Sequence, residues 1–222
     1  MWTPARGSCA PRPERTACQR DAGQDGLALA ASRMAGSPRT PPTTCSSSFD
    51  RSPHMVKRLV LLRHAKSSWA TPGMADHDRP LNKRGRTSAK AIGNWLKTLE
   101  IVPDVILCSD AVRTVETHAR LGIEGELRLR RDLYLAEADA ILEIMQQAEG
   151  ACAMIIGHNP GIGEFARRIV ANPPPHGRFE DFPTAATLIV DMPADDWKAG
   201  HFGTSRVVNF ITPGELTGPE KD

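Results

Sequence analysis

The sequence has few cysteines and few aromatic residues, and its cysteines are not spaced for a shared structural role. Only 5 of the 222 residues are cysteines, and aromatic residues make up 5% of the chain. Cys9, Cys18 and Cys45 lie within the first 54 residues, while Cys108 and Cys152 each lie inside an apolar run. This spacing excludes a disulfide framework and a Cys-x-x-Cys metal pair. We therefore expect a reducing compartment, the cytoplasm.

Long hydrophobic runs and a strong charge of one sign are also missing. No apolar stretch approaches the roughly 20 residues that a helix needs to cross a bilayer. The formal net charge is only +2. Residues 55–222 are close to neutral, with 21 basic and 22 acidic residues. We therefore expect neither a membrane nor a nucleic acid as a partner.

The first 54 residues differ in composition from the remainder. Pro, Gly, Ser and Thr supply 23 of these 54 positions, and the single apolar stretch of four or more residues is the one that begins at Leu27 and includes Leu27 to Ala30. So little apolar surface cannot offset the entropy of ordering such a segment. We predict a disordered N-terminal extension over 1–54 and one domain over 55–222. Arg, Ser and Thr are also frequent in organellar transit peptides, but four acids and several prolines interrupt the amphipathic pattern, and import stays an open alternative.

After Met55 the chain alternates short β-branched runs with longer helical patterns, which is typical of a layered α/β domain with a mainly parallel sheet. Asn82 is a suitable cap for the start of the first helix, which should end before Pro103. The predicted strands are Lys57–Leu62, Asp104–Cys108, Leu127–Leu129, Cys152–Ile156, Ala186–Val190 and Arg206–Ile211. The later predicted helices are Ala111–Leu121, Ala138–Ala148 and Ile162–Val170.

Basic side chains follow three of these strands at the point where each strand ends. Arg63 and His64 follow the first, Arg113 follows the second and His158 follows the fourth. The carboxyl ends of parallel strands meet at one edge of a sheet, where ligands gather. Because neighbouring cations repel one another, this cluster predicts an anionic ligand such as a phosphate group.

The four residues permit covalent phosphoryl transfer. A neutral imidazole at His64 can attack phosphorus if one ring nitrogen is held by a hydrogen bond and the other presents its lone pair. Arg63 and Arg113 would hold the phosphoryl oxygens, and His158 would add a donor. These side chains can neutralise the charge, so we expect no metal and no cofactor. The spacing of the seven histidines matches no zinc motif.

The motifs Arg63-His64-Ala65, Ser109 to Thr117 around Arg113, and Gly157 to Pro160 around His158 resemble those of the histidine phosphatase superfamily. Leu62 to Ser67 followed by Asp78 to Gly85 is similar to the SixA-type phosphohistidine phosphatases. The resemblance covers about Met55 to Pro213 and implies a phosphoglycerate-mutase-like fold, with three layers α/β/α. It implies that His64 is the phosphorylated nucleophile, that Arg63, Arg113 and His158 hold the phosphate, and that Arg79 lies near the pocket.

The chain departs from the larger members of this superfamily in lacking a clear proton donor. The segment after the third strand offers Asp132, Glu137 and Asp139, and the last two suit a helix cap better than catalysis. A protonated phosphoimidazole leaves as neutral imidazole, whose conjugate acid has a pKa of about 6.5, whereas an alcohol departs as a far stronger base. The absence of an acid therefore favours substrates with a nitrogen–phosphorus bond.

The leading hypothesis is a metal-independent phosphatase that acts on phosphohistidine in proteins through an intermediate at His64. Two alternatives stay open: a phosphomonoesterase for a small phosphorylated substrate, and a non-catalytic phosphate-binding module. A binding module would need the arginines but would have no use for a nucleophile.

Removal of residues 1–54 should leave the domain intact, because strand one and the first residues of the phosphate site follow Met55 directly. A chain starting at Met55 should unfold at the same denaturant midpoint and have the same kcat/KM as the full chain. Limited proteolysis should remove residues 1–54 first. A loss of stability larger than about 1 kcal/mol, beyond the ±0.5 kcal/mol usual for unengaged surface, would contradict this boundary.

Overall fold

The structure, a computed structural model, describes residues 56–218. Residues 1–54, which we expect to form a disordered and dispensable extension, lie outside this range. Met55 and residues 219–222 also lie outside it. The domain boundary at residue 55 therefore stays a proposal.

The described residues form six strands, each within two residues of the ends predicted from the sequence. Apolar and β-branched runs of five to seven residues favour strands buried on both faces. The strands are β1 (Lys57–Arg63), β2 (Val105–Ser109), β3 (Glu126–Arg130), β4 (Cys152–Gly157), β5 (Thr187–Met192) and β6 (Arg206–Ile211).

Within residues 56–218, five α-helices connect or follow the strands: α1 (Lys83–Thr98), α2 (Val112–Leu121), α3 (Ala138–Met145), α4 (Gly161–Ile169) and α5 (Pro213–Thr217). Asn82 caps α1 as predicted, since its side chain accepts a 2.8 Å hydrogen bond from the Gly85 amide. Helix α3 ends three residues before the predicted end at Ala148. The sequence did not predict α5, which begins with a capping box between Thr212 and Glu215.

The sheet has the strand order β3-β2-β4-β1-β5-β6 and is mainly parallel, as predicted. Strands β1 to β4 run in the same direction, and β5 pairs antiparallel with both β1 and β6. The register pairs Arg63 with Gly157 and Cys108 with Ile156. Consequently the segments that leave β1, β2 and β4 begin side by side at one edge.

Helices cover both faces of the sheet. Alternate residues of β1 point to opposite sides: Leu59 and Leu61 join a core with α3 and α4, whereas Val60 and Leu62 join a core with α1 and α2. All four side chains are fully buried, and each contributes about 1.5–3 kcal/mol relative to an exposed position. The three-layer α/β/α architecture is confirmed, and the rigid central strands fix where the edge residues lie.

Candidate active site

His64 directly follows β1 and is held on two sides. Its backbone amide donates to the carbonyl oxygen of Gly157 at 3.0 Å, which ties the end of β1 to the end of β4. Its ring Nδ1 lies 2.8 Å from the carbonyl oxygen of Ala65. A carbonyl can only accept, so Nδ1 carries the proton and Nε2 keeps its lone pair. A nucleophilic histidine requires this arrangement of its two ring nitrogens.

The surroundings of His64 keep its ring neutral. The residue is only 8% exposed. Burial, assisted by the positive charges of Arg113 and Arg63, lowers the pKa of His64 to about 4. The imidazole is therefore uncharged, and Nε2 available, throughout the physiological pH range.

His158 follows β4 and packs against His64, with the two ring centroids 5.1 Å apart. Its Nε2 lies 2.9 Å from the hydroxyl oxygen of Ser109 at the end of β2. Its Nδ1 is buried and has no hydrogen-bond partner within the described residues. Burial, with nearby positive charge, lowers the pKa of His158 to about 3, so this ring is also neutral.

Arg79 and Arg113 converge on one carboxylate, that of Asp76. Arg79 Nη1 lies 2.7 Å from Asp76 Oδ1, and Arg113 Nη2 lies 2.9 Å from Asp76 Oδ2. Arg79 also donates to the Ser67 hydroxyl and to the Ser68 carbonyl oxygen. Both arginines are more than nine-tenths buried. Two buried guanidinium groups directed at one anion form the kind of fork that binds phosphate oxygens.

Arg63 approaches the same region from the end of β1. Its Nη1 donates to the Phe182 carbonyl oxygen at 3.0 Å, whereas its Nε is buried and has no hydrogen-bond partner within residues 56–218. Burial lowers the pKa of this guanidinium from its usual value, although an arginine stays protonated. Arg63 therefore has a buried donor that an anion could use.

One cavity of about 270 Å³ brings most of the predicted residues together. Arg63, His64, Arg79 and Arg113 all line it. His158 does not, because it is 2% exposed and lies against His64, with Tyr134 packed edge-on 5.3 Å from its ring. The other lining residues are Lys66, Ser67, Trp69, Asp76, Leu135, Asn159 and Thr184.

Three residues of the site, Asp76, Tyr134 and Trp69, were not predicted from the sequence. Tyr134 donates its hydroxyl hydrogen to Asp76 Oδ2 at 2.8 Å, and the Trp69 ring lies 3.2 Å from the guanidinium carbon of Arg79. Asp76 begins a short 3-10 helix, Asp76–Asp78, in the long connection between β1 and α1. The available signal was the position of Asp76 three residues before Arg79.

No carboxylic acid in the cavity can supply a proton near neutral pH. Burial raises the pKa of Asp76, but the Tyr134 hydroxyl and the two guanidinium groups outweigh it and lower that pKa to about 2. Asp76 is thus ionised, and it is the one carboxylate among the described residues that lines the cavity.

The three acids considered from the sequence lie outside the cavity lining. Glu137 is exposed at the N-cap position of α3, where its side chain makes no capping hydrogen bond. Asp132 pairs with Arg130, and Asp139 pairs with Arg168. Glu137 therefore occupies the cap position, but the predicted capping role is wrong, because its side chain makes no capping hydrogen bond and Asp139 lies in the first turn of α3.

Within residues 56–218 no helix is both long and apolar enough to cross a bilayer. The same residues contain no cluster of three or more His, Cys, Asp or Glu side chains arranged to hold a metal ion.

Comparison with known proteins gives consistent matches. A sequence profile of the histidine phosphatase superfamily (branch 1) matches residues 59–149. An uncharacterised protein of Mycobacterium leprae is 30% identical over 161 residues, which cover 68% of this chain and 99% of that protein. An uncharacterised chloroplastic protein of Arabidopsis thaliana is 45% identical over 87 residues, or 38% of this chain and 40% of the relative.

Among solved structures, a protein of Nakamurella multipartitia assigned as the phosphohistidine phosphatase SixA is 28% identical. It superposes with a TM-score of 0.61, covering 71% of this chain and 96% of that chain. The matched sequence and the shared fold agree with the arginines and histidines gathered at the sheet edge. The chain belongs to the histidine phosphatase superfamily and is a phosphatase that acts on a phosphorylated substrate.

Proposed function

We propose that this phosphatase hydrolyses phosphohistidine in proteins, without a metal ion, through a covalent intermediate on His64. One observation carries the proposal: the Nδ1 of His64 is engaged by the Ala65 carbonyl, which leaves Nε2 with a lone pair beside buried guanidinium donors. A module that only binds phosphate would need the guanidinium groups but not a histidine in this tautomer. The SixA assignment of the Nakamurella protein supports the choice of substrate.

In the first step His64 Nε2 attacks the phosphorus atom. A bond forms between Nε2 and phosphorus while the bond from phosphorus to the substrate nitrogen breaks. The His64 ring gains positive charge as its lone pair is shared, and the hydrogen bond from Nδ1 to the Ala65 carbonyl oxygen stabilises that charge. The substrate imidazole, already protonated on its other nitrogen, leaves as a neutral ring.

In the second step water attacks the phosphorus of phosphorylated His64. The oxygen–phosphorus bond forms, the bond from Nε2 to phosphorus breaks, and the electron pair returns to Nε2. One proton of the water stays on the new oxygen and the other passes to a phosphate oxygen, so the product is dihydrogen phosphate. His64 is regenerated as the neutral ring protonated on Nδ1.

Side chains neutralise the phosphoryl charge in this scheme. We assign phosphate binding to Arg63 and Arg113, with Arg79 supporting the same fork through Asp76. His158 supplies a donor if the Ser109 hydroxyl donates to Nε2, because Nδ1 then carries the proton and has no partner in the described residues. Three guanidinium groups can provide the charge stabilisation that Mg²⁺ provides in other phosphoryl-transfer enzymes.

The ionised state of Asp76 supports a nitrogen–phosphorus substrate. A phosphate ester releases an alkoxide unless an acid protonates the leaving oxygen, and the cavity holds a carboxylate whose pKa is about 2. A protonated phosphohistidine needs no such donor, since neutral imidazole is a weak base.

We propose a cytoplasmic location because the cysteine spacing forms no disulfide framework and because Cys108 and Cys152, the cysteines of the described range, are free. The chloroplastic relative in Arabidopsis supports the alternative that residues 1–54 direct import into an organelle.

The substrate preference can be measured with a panel of phosphorylated compounds. We expect kcat/KM for a phosphohistidine protein to exceed that for a phosphoserine protein or an alkyl phosphate by at least about 100-fold, the usual contribution of a general acid that this site lacks. Treatment with EDTA should leave these rates unchanged. Equal or higher kcat/KM for alkyl phosphates would favour a small-molecule phosphomonoesterase, and a loss of activity in EDTA that added metal restores would contradict the metal-free mechanism.

The covalent step can be tested by rapid quench of wild-type enzyme during turnover. An acid-labile phosphoryl group should be trapped on His64, and His64→Ala should lower kcat by at least about a thousandfold while the domain stays folded by circular dichroism. His201→Ala, at an exposed position outside the cavity, is the matched control and should retain normal activity. Near-normal turnover by His64→Ala would exclude the mechanism.

A further inference from the structure

A second cavity, of about 430 Å³, adjoins the phosphate cavity. The two share Arg63, Lys66 and Thr184 in their linings. Other lining residues come from distant parts of the chain, among them Arg178 in the loop before β5 and Thr212 at the start of α5. A ligand bound at His64 could therefore extend past Arg63 into this second space.

The lining of the second cavity is strongly cationic. It contains four basic side chains, Arg63, Lys66, Arg84 and Arg178, and one carboxylate, Asp181. Arg178 Nε lies 3.1 Å from Asp181 Oδ2, so this carboxylate offsets part of the charge, and Arg84 also has an interaction of its own. An excess of positive charge remains around the space, in a domain that is otherwise close to neutral. Cations held close together are stabilised by an anion.

Arg63 connects the two cavities and has an unused donor. Its Nη1 is held by the Phe182 carbonyl oxygen, but its buried Nε has no partner within residues 56–218. A buried donor without a partner costs about 1–3 kcal/mol, which a ligand oxygen could recover. This donor is independent of the surface charges of Lys66 and Arg178, and it belongs to a side chain that lines both cavities.

We propose that the second cavity binds another anionic group, a carboxylate or a phosphate, carried by the same substrate molecule as the phosphoryl group. In a protein substrate this group would be an acidic side chain near the phosphohistidine, and in a small substrate it would be a second phosphate. The proposal rests on the proposed function, because it takes the first cavity as the place where the phosphoryl group reacts. Arg178 should then raise the preference for substrates that carry this second anionic group, and Asp181 should lower it.

The test compares two phosphohistidine peptides that differ only in having Glu or Gln residues beside the phosphohistidine. Wild-type enzyme should prefer the Glu peptide in kcat/KM. Arg178→Gln should lower the ratio of the two kcat/KM values about two- to fivefold, the range expected for an exposed ion pair. Asp181→Asn should raise the ratio, a gain that misfolding cannot produce. Arg120→Gln removes an exposed arginine that is not part of either lining, and should leave the ratio at its wild-type value.

A second measurement does not depend on turnover. Calorimetric titration with methylenediphosphonate and with methylphosphonate compares a probe of two anionic groups with a probe of one. The diphosphonate should bind wild-type protein more tightly, and Arg178→Gln should weaken its binding more than that of methylphosphonate. If Arg178→Gln weakens diphosphonate binding selectively but the enzyme shows no preference between the two peptides, the second cavity is a site for the second phosphate of a small substrate.

The outcomes separate this proposal from the proposed function. If no phosphohistidine compound is hydrolysed, the proposed function fails. The diphosphonate titration still shows whether the second cavity binds an anionic group. If both peptides are hydrolysed at equal kcat/KM and Arg178→Gln affects the two phosphonates equally, the second anionic site is excluded while the phosphatase assignment stands. Because the arginine is exposed, the peptide ratio should also fall as salt concentration rises.

Discussion

The hydrogen bond from His64 Nδ1 to the carbonyl oxygen of Ala65 is the interaction on which the proposed chemistry depends. It fixes the tautomer of a buried imidazole, and with it which nitrogen can attack phosphorus. The bond exists because His64 leaves β1 at the sheet edge, where its amide is tied to Gly157 and the amide of Ala65 donates to the Thr117 hydroxyl at 3.0 Å. The sheet and α2 thus hold both partners of the bond in place, which limits the reorganisation needed during reaction.

Burial and positive charge act together around this bond. They keep His64 and His158 neutral, with pKa values of about 4 and 3. At Asp76 the two guanidinium groups and the Tyr134 hydroxyl act against burial and keep the carboxylate ionised, with a pKa of about 2. The same arginines thus have two effects, preventing the nucleophile from becoming protonated and preventing the nearby carboxyl from acting as an acid. In the proposed mechanism these two effects favour a leaving group that needs no proton, and this is the physical basis on which we propose phosphohistidine as the substrate.

The sequence predicted the parts of the site that lie at strand ends, whereas in the irregular segments it indicated only Arg79, through the family resemblance. Arg63, His64, Arg113 and His158 follow strands whose apolar runs are easily recognised, and the parallel order places those ends together. Asp76 lies in an irregular connection, and its approach to Arg79 and Arg113 depends on a 3-10 turn that no hydrophobic period indicates. The cationic cavity that Lys66 and Arg178 line forms only when residues more than 100 positions apart meet in the fold. Local sequence patterns therefore do not predict it.

The central claim is that His64 is neutral, with its proton on Nδ1 and its lone pair on Nε2. Nitrogen-15 NMR of the histidine rings, with His64→Gln used to assign the His64 signals, measures both properties directly. We expect a protonated Nδ1 and an unprotonated Nε2 from pH 8 down to about pH 5, because the pKa of His64 is lowered to about 4. A proton found on Nε2, or a titration midpoint near the ordinary value of about 6.5, would contradict the account.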